Sequence, residues 1–373
     1  MKLTAKVKLL PDEAQTRLLR ETLEMANAAC NAISGTAWQT KTFGQYQLHK
    51  LAYAQTRASF PLTAQIVVRC ICKVADAYRL DHKMRRRFKK HGAITYDDRI
   101  LNWRLPDRRV SIWCLGGRQE MPFVCGPRQY ALLCHRHGEA DLALIDGKFY
   151  LFATCEIEEP EPIDVADMVG VDLGVTNIAV DSNGHVYSSS QVNNVRHRNC
   201  RLRKKLQSKG TKSAKRRLKK RSKKESRFAA DVNHTISKRI VEHAQGTGCG
   251  IALEDLEGIR TRVTVRKRQR ATLHSWSFLQ LRQFIDYKAR RAGIPLVLVD
   301  PRNTSRTCPR CGCVDKRNRL NQSTFSCVVC GFSGLADHIA AENIRVLGRA
   351  SVNMPNVSRP DPSRGVAGTS RLL

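Results

Sequence analysis

With 373 residues, 42% of them hydrophobic, the chain is long enough for two or three domains with cores of their own. Its 65 Lys and Arg residues against 33 Asp and Glu give a net charge of +32, which indicates a polyanionic partner, most commonly nucleic acid. The alternatives are a protein that binds an anionic membrane surface and a ribosomal protein. No run of about 18 apolar residues, dominant basic amphipathic helix or signal peptide occurs, so we expect a cytoplasmic protein without a membrane partner.

The first part of the chain is predicted to combine strands with a helical insertion. Residues 1–10 alternate apolar and polar side chains as a strand does, and apolar residues then recur at helical spacing within 11–92. Residues 93–165 contain short apolar stretches broken by Gly and Pro, with Asp146 and Gly147 as a hairpin turn. This order predicts a β-module, 1–10 plus 93–165, that is interrupted by a helical module over 11–92.

A second pattern, typical of an α/β domain, begins at Met168. The pattern predicts a strand, a tight turn, a second strand, a turn at Asn183-Gly184 and a third strand. A buried strand that ends at Glu254 is predicted further along the chain. The remaining predicted elements are a helix at 229–245, an amphipathic helix at 276–291, a buried strand at 294–301, a helix from about 337 to 347 and a disordered tail at 352–373.

Two segments are strongly basic. Residues 196–227 hold 17 Lys or Arg and one acid, and residues 260–270 form a second stretch. Because such a density of like charge repels itself, we expect it to bind a phosphate backbone; a solvated helical hairpin is the alternative. The candidate nucleic-acid contacts in these segments are Arg203, Lys204, Lys205, Arg216, Arg217, Lys219, Lys220, Arg266, Lys267 and Arg268.

The chain contains 14 Cys, and four of them show metal-ligand spacing. Cys308 and Cys311 form one C-x2-C pair, Cys327 and Cys330 form another, and a Gly follows each pair. Two such knuckles supply four thiolates for a structural Zn²⁺, and the Gly residues suit the tight turns. The alternative is two reduced pairs without metal. Cys313 is one residue too far along for the first knuckle and is left as a spare thiol.

Three acids are candidates for a catalytic metal site. Asp172 lies in a buried strand, Glu254 ends another, and Asp337 comes at the start of a helix. Each acid also has a purely structural interpretation. Asp172 could be a turn residue, and Asp337 could be a helix N-cap. Glu254 could be a cap or turn residue, in which case Asp255 or Glu257 would be the functional acid. If they converge at the carboxyl ends of strands, they can hold two Mg²⁺ ions for phosphodiester hydrolysis.

Four motifs, in order and spacing, carry a resemblance to a known family. They are GVDLGVTNIAV (170–180), ALEDLEGI (252–259), the segment 274–312 and D-x-x-A-A-x-N-I (337–344). Together they resemble the TnpB (OrfB) family of transposon-encoded RNA-guided DNA endonucleases, and they are similar to the miniature type V CRISPR nucleases. The match covers about 168–349, whereas the first 165 residues match only in organisation.

The resemblance implies a multi-domain α/β protein. Residues 166–303 and 335–349 would form a RuvC-like, RNase H-type nuclease domain with a zinc ribbon, 304–334, inserted in it. Asp172, Glu254 and Asp337 would be its catalytic metal ligands. The β-module would be a wedge-like β-barrel and the helical module a recognition lobe. The implied partners are a guide RNA and double-stranded target DNA, with one protein chain per RNA favoured.

One residue of the last motif, 337–344, departs from the family pattern. The family has Asn two residues after the third acid, and this chain has Ile339 there. Because all three acids remain, we expect an active enzyme. Arg306, just before the first cysteine pair, is a further candidate contact near the scissile phosphate. A nuclease-dead RNA-guided repressor, a strand-transfer transposase and a plain zinc-ribbon nucleic-acid-binding protein are the alternatives.

Overall fold

The computed structural model of the chain describes residues 1–174, 176–256 and 278–352. It divides into two compact units, Met1–Glu158 and Glu159–Leu373. No helix within the described ranges is long and apolar enough to cross a membrane.

The first unit contains a seven-stranded antiparallel sheet and four described helices. The strands are β1 (Lys2–Leu9), β2 (Ile94–Tyr96), β3 (Leu101–Arg104), β4 (Arg109–Cys114), β5 (Gly117–Val124), β6 (Arg136–Ile145) and β7 (Lys148–Glu156). The helices are α1 (Glu13–Thr40), α2 (Gln45–Ser59), α3 (Ala64–Leu80) and α4 (Pro127–Leu133).

The sheet of the first unit is nearly closed. Its strand order is β2-β6-β7-β1-β5-β4-β3, so β2 and β3 lie at its two edges. These edge strands are joined by only the four residues 97–100, and so short a link requires the sheet to curl until its edges approach each other. The predicted hairpin turn between β6 and β7 is confirmed, because Asp146 (φ 50°) and Gly147 (φ 77°) both adopt the left-handed conformation.

The helical insertion shares one hydrophobic core with this sheet. Buried side chains of α1 and α3, such as Leu23 and Val67, belong to the same cluster as Val7 of β1. The helical pattern predicted for residues 45–90 was wrong in its last part, since α3 ends at Leu80. The following segment is held by side-chain contacts instead, because Asn31 exchanges two hydrogen bonds with the backbone of Phe88 (3.0 and 2.8 Å).

The second unit contains a five-stranded sheet, a small two-stranded sheet and four described α-helices. The strands are β8 (Met168–Asp172), β9 (Asn177–Asp181), β10 (Val186–Ser188), β11 (Gly250–Glu254), β12 (Leu296–Val299), β13 (Thr324–Ser326) and β14 (Ser333–Leu335). The helices are α5 (Ser190–Lys209), α6 (Lys212–Thr247), α7 (Phe278–Arg291) and α8 (Ala336–Val352), and Lys316–Asn318 forms a short 3-10 helix.

Several predicted boundaries in this unit shift. The helix predicted at 229–245 begins at Lys212, so the basic segment 196–227 forms a helical hairpin that turns at Gly210, where φ is 62°. The strand predicted over 294–301 is only β12 and is partly exposed. Helix α8 runs on through Val352, so that residue is helical rather than part of a disordered tail; the rest of the predicted tail lies outside the described residues.

The larger sheet, in the order β10-β9-β8-β11-β12, has helices on both faces. Strands β8, β11 and β12 are parallel, and β9 and β10 are antiparallel to their neighbours. Side-chain alternation places Val171 with buried residues of α6 and α7 on one face, and Ala252 with Ile344 of α8 on the other. Helix α8 approaches β8 so closely that a Cβ at Gly170 would lie 2.1 Å from the carbonyl oxygen of Ala341.

Candidate active site

Two of the three predicted acids end neighbouring parallel strands. Asp172 is the last residue of β8 and Glu254 the last residue of β11. Leu253 pairs with Val171, so the same register places Glu254 beside Asp172. Because side chains alternate along a strand, both acids lie on the face of the sheet that α8 covers. The turn and cap alternatives therefore do not describe these two residues.

The third acid comes from the helix on that face. Asp337 lies within the first turn of α8 rather than before it, so it is not the N-cap. Asn177 Nδ2 at the start of β9 donates a hydrogen bond to Asp337 Oδ2 (3.0 Å). After burial and the charge of Glu254, the negative charge of Asp337 is a further cause that raises the pKa of Asp172. The structure thus brings the three acids to one place.

The electrostatics of this acid cluster, Asp172, Glu254 and Asp337, disfavour full ionisation. Burial, then the charges of Glu254 and Asp337, raise the pKa of Asp172 to about 8. Burial also raises the pKa of Glu254, against the hydrogen bond from Thr304. Three carboxylates that share a poorly solvated site repel one another, and a bound cation relieves that repulsion.

One cation of the protein already faces the acid cluster. Arg319, between the two cysteine knuckles, places Nη2 3.7 Å from Asp337 Oδ1. Its charge lowers the pKa of Asp172 and of Glu254, although burial outweighs it at both residues. The ribbon segment therefore contributes positive charge to the site.

The loop after β12 orients Glu254. Thr304, which is buried, donates from Oγ1 to Glu254 Oε1 (2.5 Å). Asn343 of α8 in turn donates from Nδ2 to the carbonyl oxygens of Thr304 (2.7 Å) and Thr307 (2.8 Å). A carboxylate that is fixed by such partners is held ready for a ligand.

The competing acids lie elsewhere or outside the described residues. Asp255 forms an ion pair with Arg282 of α7 at 2.8 Å. Glu257 falls outside the described residues.

The four predicted zinc ligands also converge. The sulfur atoms of Cys308, Cys311, Cys327 and Cys330 lie within 4.8 Å of one another. The glycines after the two knuckles have the expected left-handed conformation, with φ of 73° and 69°. Cys313 is left outside this group, and its carbonyl oxygen accepts a hydrogen bond from the Cys308 backbone (2.9 Å). Four thiolates so arranged fit a tetrahedral Zn²⁺.

The predicted nucleic-acid contacts on the α5–α6 hairpin are all exposed. These are Arg203, Lys204, Lys205, Arg216, Arg217, Lys219 and Lys220. Arg203 lies 3.5 Å from Glu225, the single acid of the basic segment. Arg266, Lys267 and Arg268 lie outside the described residues. Arg306 is exposed on the loop that carries Thr304.

Two family models match segments that lie almost entirely in the second unit. Residues 152–257 match the family described as "Probable transposase", and residues 278–344 match "Cas12f1-like, TNB domain". The TnpB-like protein MJ0751 of Methanocaldococcus jannaschii is 30% identical over 196 residues, which cover 49% of this chain and 69% of that protein. The chain belongs to the TnpB-like family. The resemblance predicted from the motifs is therefore confirmed.

Other relatives place the TnpB-like chain near compact type V nucleases. The CRISPR-associated endodeoxyribonuclease Cas12f1 of Sulfoacidibacillus thermotolerans is 41% identical over 120 residues, or 32% of this chain and 27% of that protein. The chain spans about a quarter of the length of the Cas12f1 relatives that it matches. A solved Cas12f1-sgRNA-target DNA complex shares the fold, with a TM-score of 0.61 at 14% identity over 88% of this chain and 81% of that one.

The residue that departs from the TnpB pattern has a structural explanation. Ile339 is buried and packs with Cys308, Phe325 and Cys327 in the core of the ribbon. At this position the side chain therefore joins α8 to the ribbon. In this TnpB-like chain the amide that contacts Asp337 belongs to Asn177.

Sequence reasoning missed Arg319, Thr304 and Asn177. One arginine among 65 basic residues has no distinguishing pattern, and Thr304 precedes the cysteines on an irregular loop. Asn177 lies within the motif that carries the resemblance, five residues after Asp172, and that proximity was the available signal.

Proposed function

We propose that this chain is an RNA-guided DNA endonuclease of a transposable element, which cuts double-stranded DNA beside a short flanking motif. The observation that carries the proposal is the convergence of Asp172, Glu254 and Asp337 on one face of the sheet, where burial and mutual repulsion raise the pKa of Asp172 to about 8. Perturbed carboxylates that converge in this way are characteristic of functional sites.

The acid cluster fits Mg²⁺, because its donors are carboxylate oxygens and its excess negative charge favours a small dication. When bound, two Mg²⁺ ions would activate a water molecule for attack on phosphorus and stabilise the leaving 3′ oxygen. The chain's own groups orient and balance the site. Thr304 holds Glu254 and Asn177 holds Asp337. Arg319 supplies a cation beside Asp337 that would face the scissile phosphate.

The wider architecture follows from the same proposal. The strands and helices around the acid cluster would form the RuvC-like, RNase H-type nuclease domain, 166–303 and 335–349, and 304–334 the ribbon that holds one structural Zn²⁺. The nearly closed sheet would be the wedge-like barrel and α1 to α3 the recognition lobe. Exposed cations on the α5–α6 hairpin would bind the guide RNA or its duplex with the target, so that base pairing carries the sequence specificity.

The decisive experiment uses the full chain purified with its co-purifying RNA. That RNA is sequenced, and a DNA duplex complementary to it is offered with Mg²⁺. We expect cleavage that disappears in Asp172→Ala while RNA binding persists, and that is retained in the matched control Asp231→Ala, which changes an exposed acid of α6.

Other outcomes would reject the proposal in distinct ways. Target binding by the wild-type chain without cleavage would indicate a nuclease-dead repressor. Joined rather than hydrolysed DNA ends would indicate a strand-transfer transposase. Nucleic-acid binding without a discrete RNA, unchanged in Asp172→Ala, would indicate a plain zinc-ribbon binding protein.

A further inference from the structure

A second group of metal-ligand side chains lies on the other face of the larger sheet. Asp181 ends β9, His185 follows the next turn, and His243 lies on α6. Their ligand atoms all lie within 4.8 Å of one another. Asp181 pairs with Val171, whereas Asp172 pairs with Val180, so the alternation of side chains separates this Asp-His-His cluster from the acid cluster.

The carboxylate of the Asp-His-His cluster is held in place. Asp181 is fully buried, and its Oδ1 accepts hydrogen bonds from the backbone nitrogens of Asn183 (3.0 Å) and His185 (2.9 Å). Both oxygens also face Nδ1 of His185, Oδ2 at 3.0 Å and Oδ1 at 3.2 Å. The backbone of the turn uses only Oδ1, so Oδ2 is left to the imidazole, and a carboxylate beside a histidine is a common arrangement around bound metals.

The two imidazoles are placed side by side in a form that can ligate a metal. The rings of His185 and His243 are 4.6 Å apart, edge to face. Asn183 Nδ2 lies 2.6 Å from His243 Nε2, and because an amide NH2 can only donate, the lone pair of Nε2 points to this side of the ring. A metal bound at Nε2 would replace that hydrogen bond, and rotation of the Asn183 amide would then turn its oxygen toward the ion.

We propose that Asp181, His185 and His243 bind one transition-metal dication, Zn²⁺ or the chemically similar Co²⁺ or Ni²⁺. Two imidazoles with one carboxylate suit these ions, whereas Mg²⁺ and Ca²⁺ favour sites of oxygen donors alone. The bound ion would link the β9–β10 turn to α6. Since α6 forms half of the basic hairpin, the ion would hold the end of α6 that packs on the sheet in place.

The test is a Co²⁺ titration of the full chain with its ribbon cysteines intact and with excess Mg²⁺ present. We expect two Co²⁺ per chain, one with thiolate charge-transfer absorption and one with only the weaker bands of nitrogen and oxygen ligands. His185→Gln and His243→Gln, on different elements, should each lose the second ion while keeping the thiolate signal. Loss of a ligand should weaken the affinity by more than about 100-fold, since even outer partners contribute about 10–100-fold.

Two controls separate this site from its neighbours. His197→Gln, an exposed histidine of α5, and Asp172→Asn should both keep two ions. The proposal is overturned if the wild-type chain binds only the thiolate-ligated ion, if both histidine variants keep the second ion, or if Asp172→Asn removes it. Each readout is independent of nuclease activity.

Discussion

Replacing Asp172 by Asn should stabilise the second unit when Mg²⁺ is absent. Asp172 has a pKa of about 8 in the folded chain and an ordinary value of 3.8, so folding takes up a proton between these values. Stability is therefore lost as pH rises from about 4 to about 8, and Asn does not suffer that loss. At pH 7, which is about three units above the ordinary pKa, the free energy of unfolding of Asp172→Asn should exceed that of the wild type by about 4 kcal/mol as an upper limit. At about pH 5.5 the excess should be about 2 kcal/mol.

Hydrogen exchange measured by mass spectrometry gives the free energy of opening of the second unit. The opening free energy of the β8 and β11 amides is compared between variant and wild type at each pH, without chelator so that the cysteine site stays loaded. The exposed Asp231→Asn should show no pH-dependent gain. Added Mg²⁺ should narrow the difference, because it binds only the wild-type site. A gain that is equal at both pH values, or a destabilised Asp172→Asn, would refute the electrostatic reasoning.

Three further predictions concern packing, zinc and charge. Gly170→Ala should destabilise the second unit by more than about 3 kcal/mol in the same exchange assay, because its Cβ would lie 2.4 Å from Arg345 N. Gly246→Ala, whose Cβ would have nothing within 4 Å, should be neutral or slightly stabilising. Equal effects of the two substitutions would contradict the close packing of α8. Cys327→Ser should lose zinc and open the ribbon to protease, since such a site contributes about 10–16 kcal/mol, and the exposed Cys200→Ser should retain zinc; a Cys327→Ser chain with full zinc would refute the ligand assignment. Lys204→Gln should reduce the salt dependence of RNA binding by about one unit of slope while Lys204→Arg leaves it unchanged; an identical slope in both would remove Lys204 from the contact surface.

Local patterns predicted most of what positions the site. Alternation and apolar runs identified β8 and β11, and the knuckle spacing identified the four cysteines, because these signals depend on neighbours in sequence. What sequence did not reveal depends on tertiary contacts. The helical pattern failed beyond Leu80, where the side chain of Asn31, distant in sequence, makes two hydrogen bonds with the backbone of Phe88.

The same limit applies to the side chains around the acids. Thr304 and Arg319 reach the acid cluster only because the loop after β12 and the ribbon fold back over the ends of the strands. The basic segment was open to two interpretations, and its helical hairpin is compatible with both, since most of its described cations are exposed on helices. The Asp-His-His cluster could not be found from spacing in the sequence, because His243 meets His185 across the fold.

The position of α8 in the chain also sets an order of events during synthesis. Asp172 and Glu254 leave the ribosome before the ribbon, and Asp337 follows it. Until α8 emerges, one face of the sheet stays uncovered, and the close fit at Gly170 admits little but that helix. A nascent chain with an affinity for nucleic acid would thus already carry its basic hairpin while lacking the third carboxylate. Under the proposed function, translation itself would delay the ability to cut until the ribbon and α8 have been made.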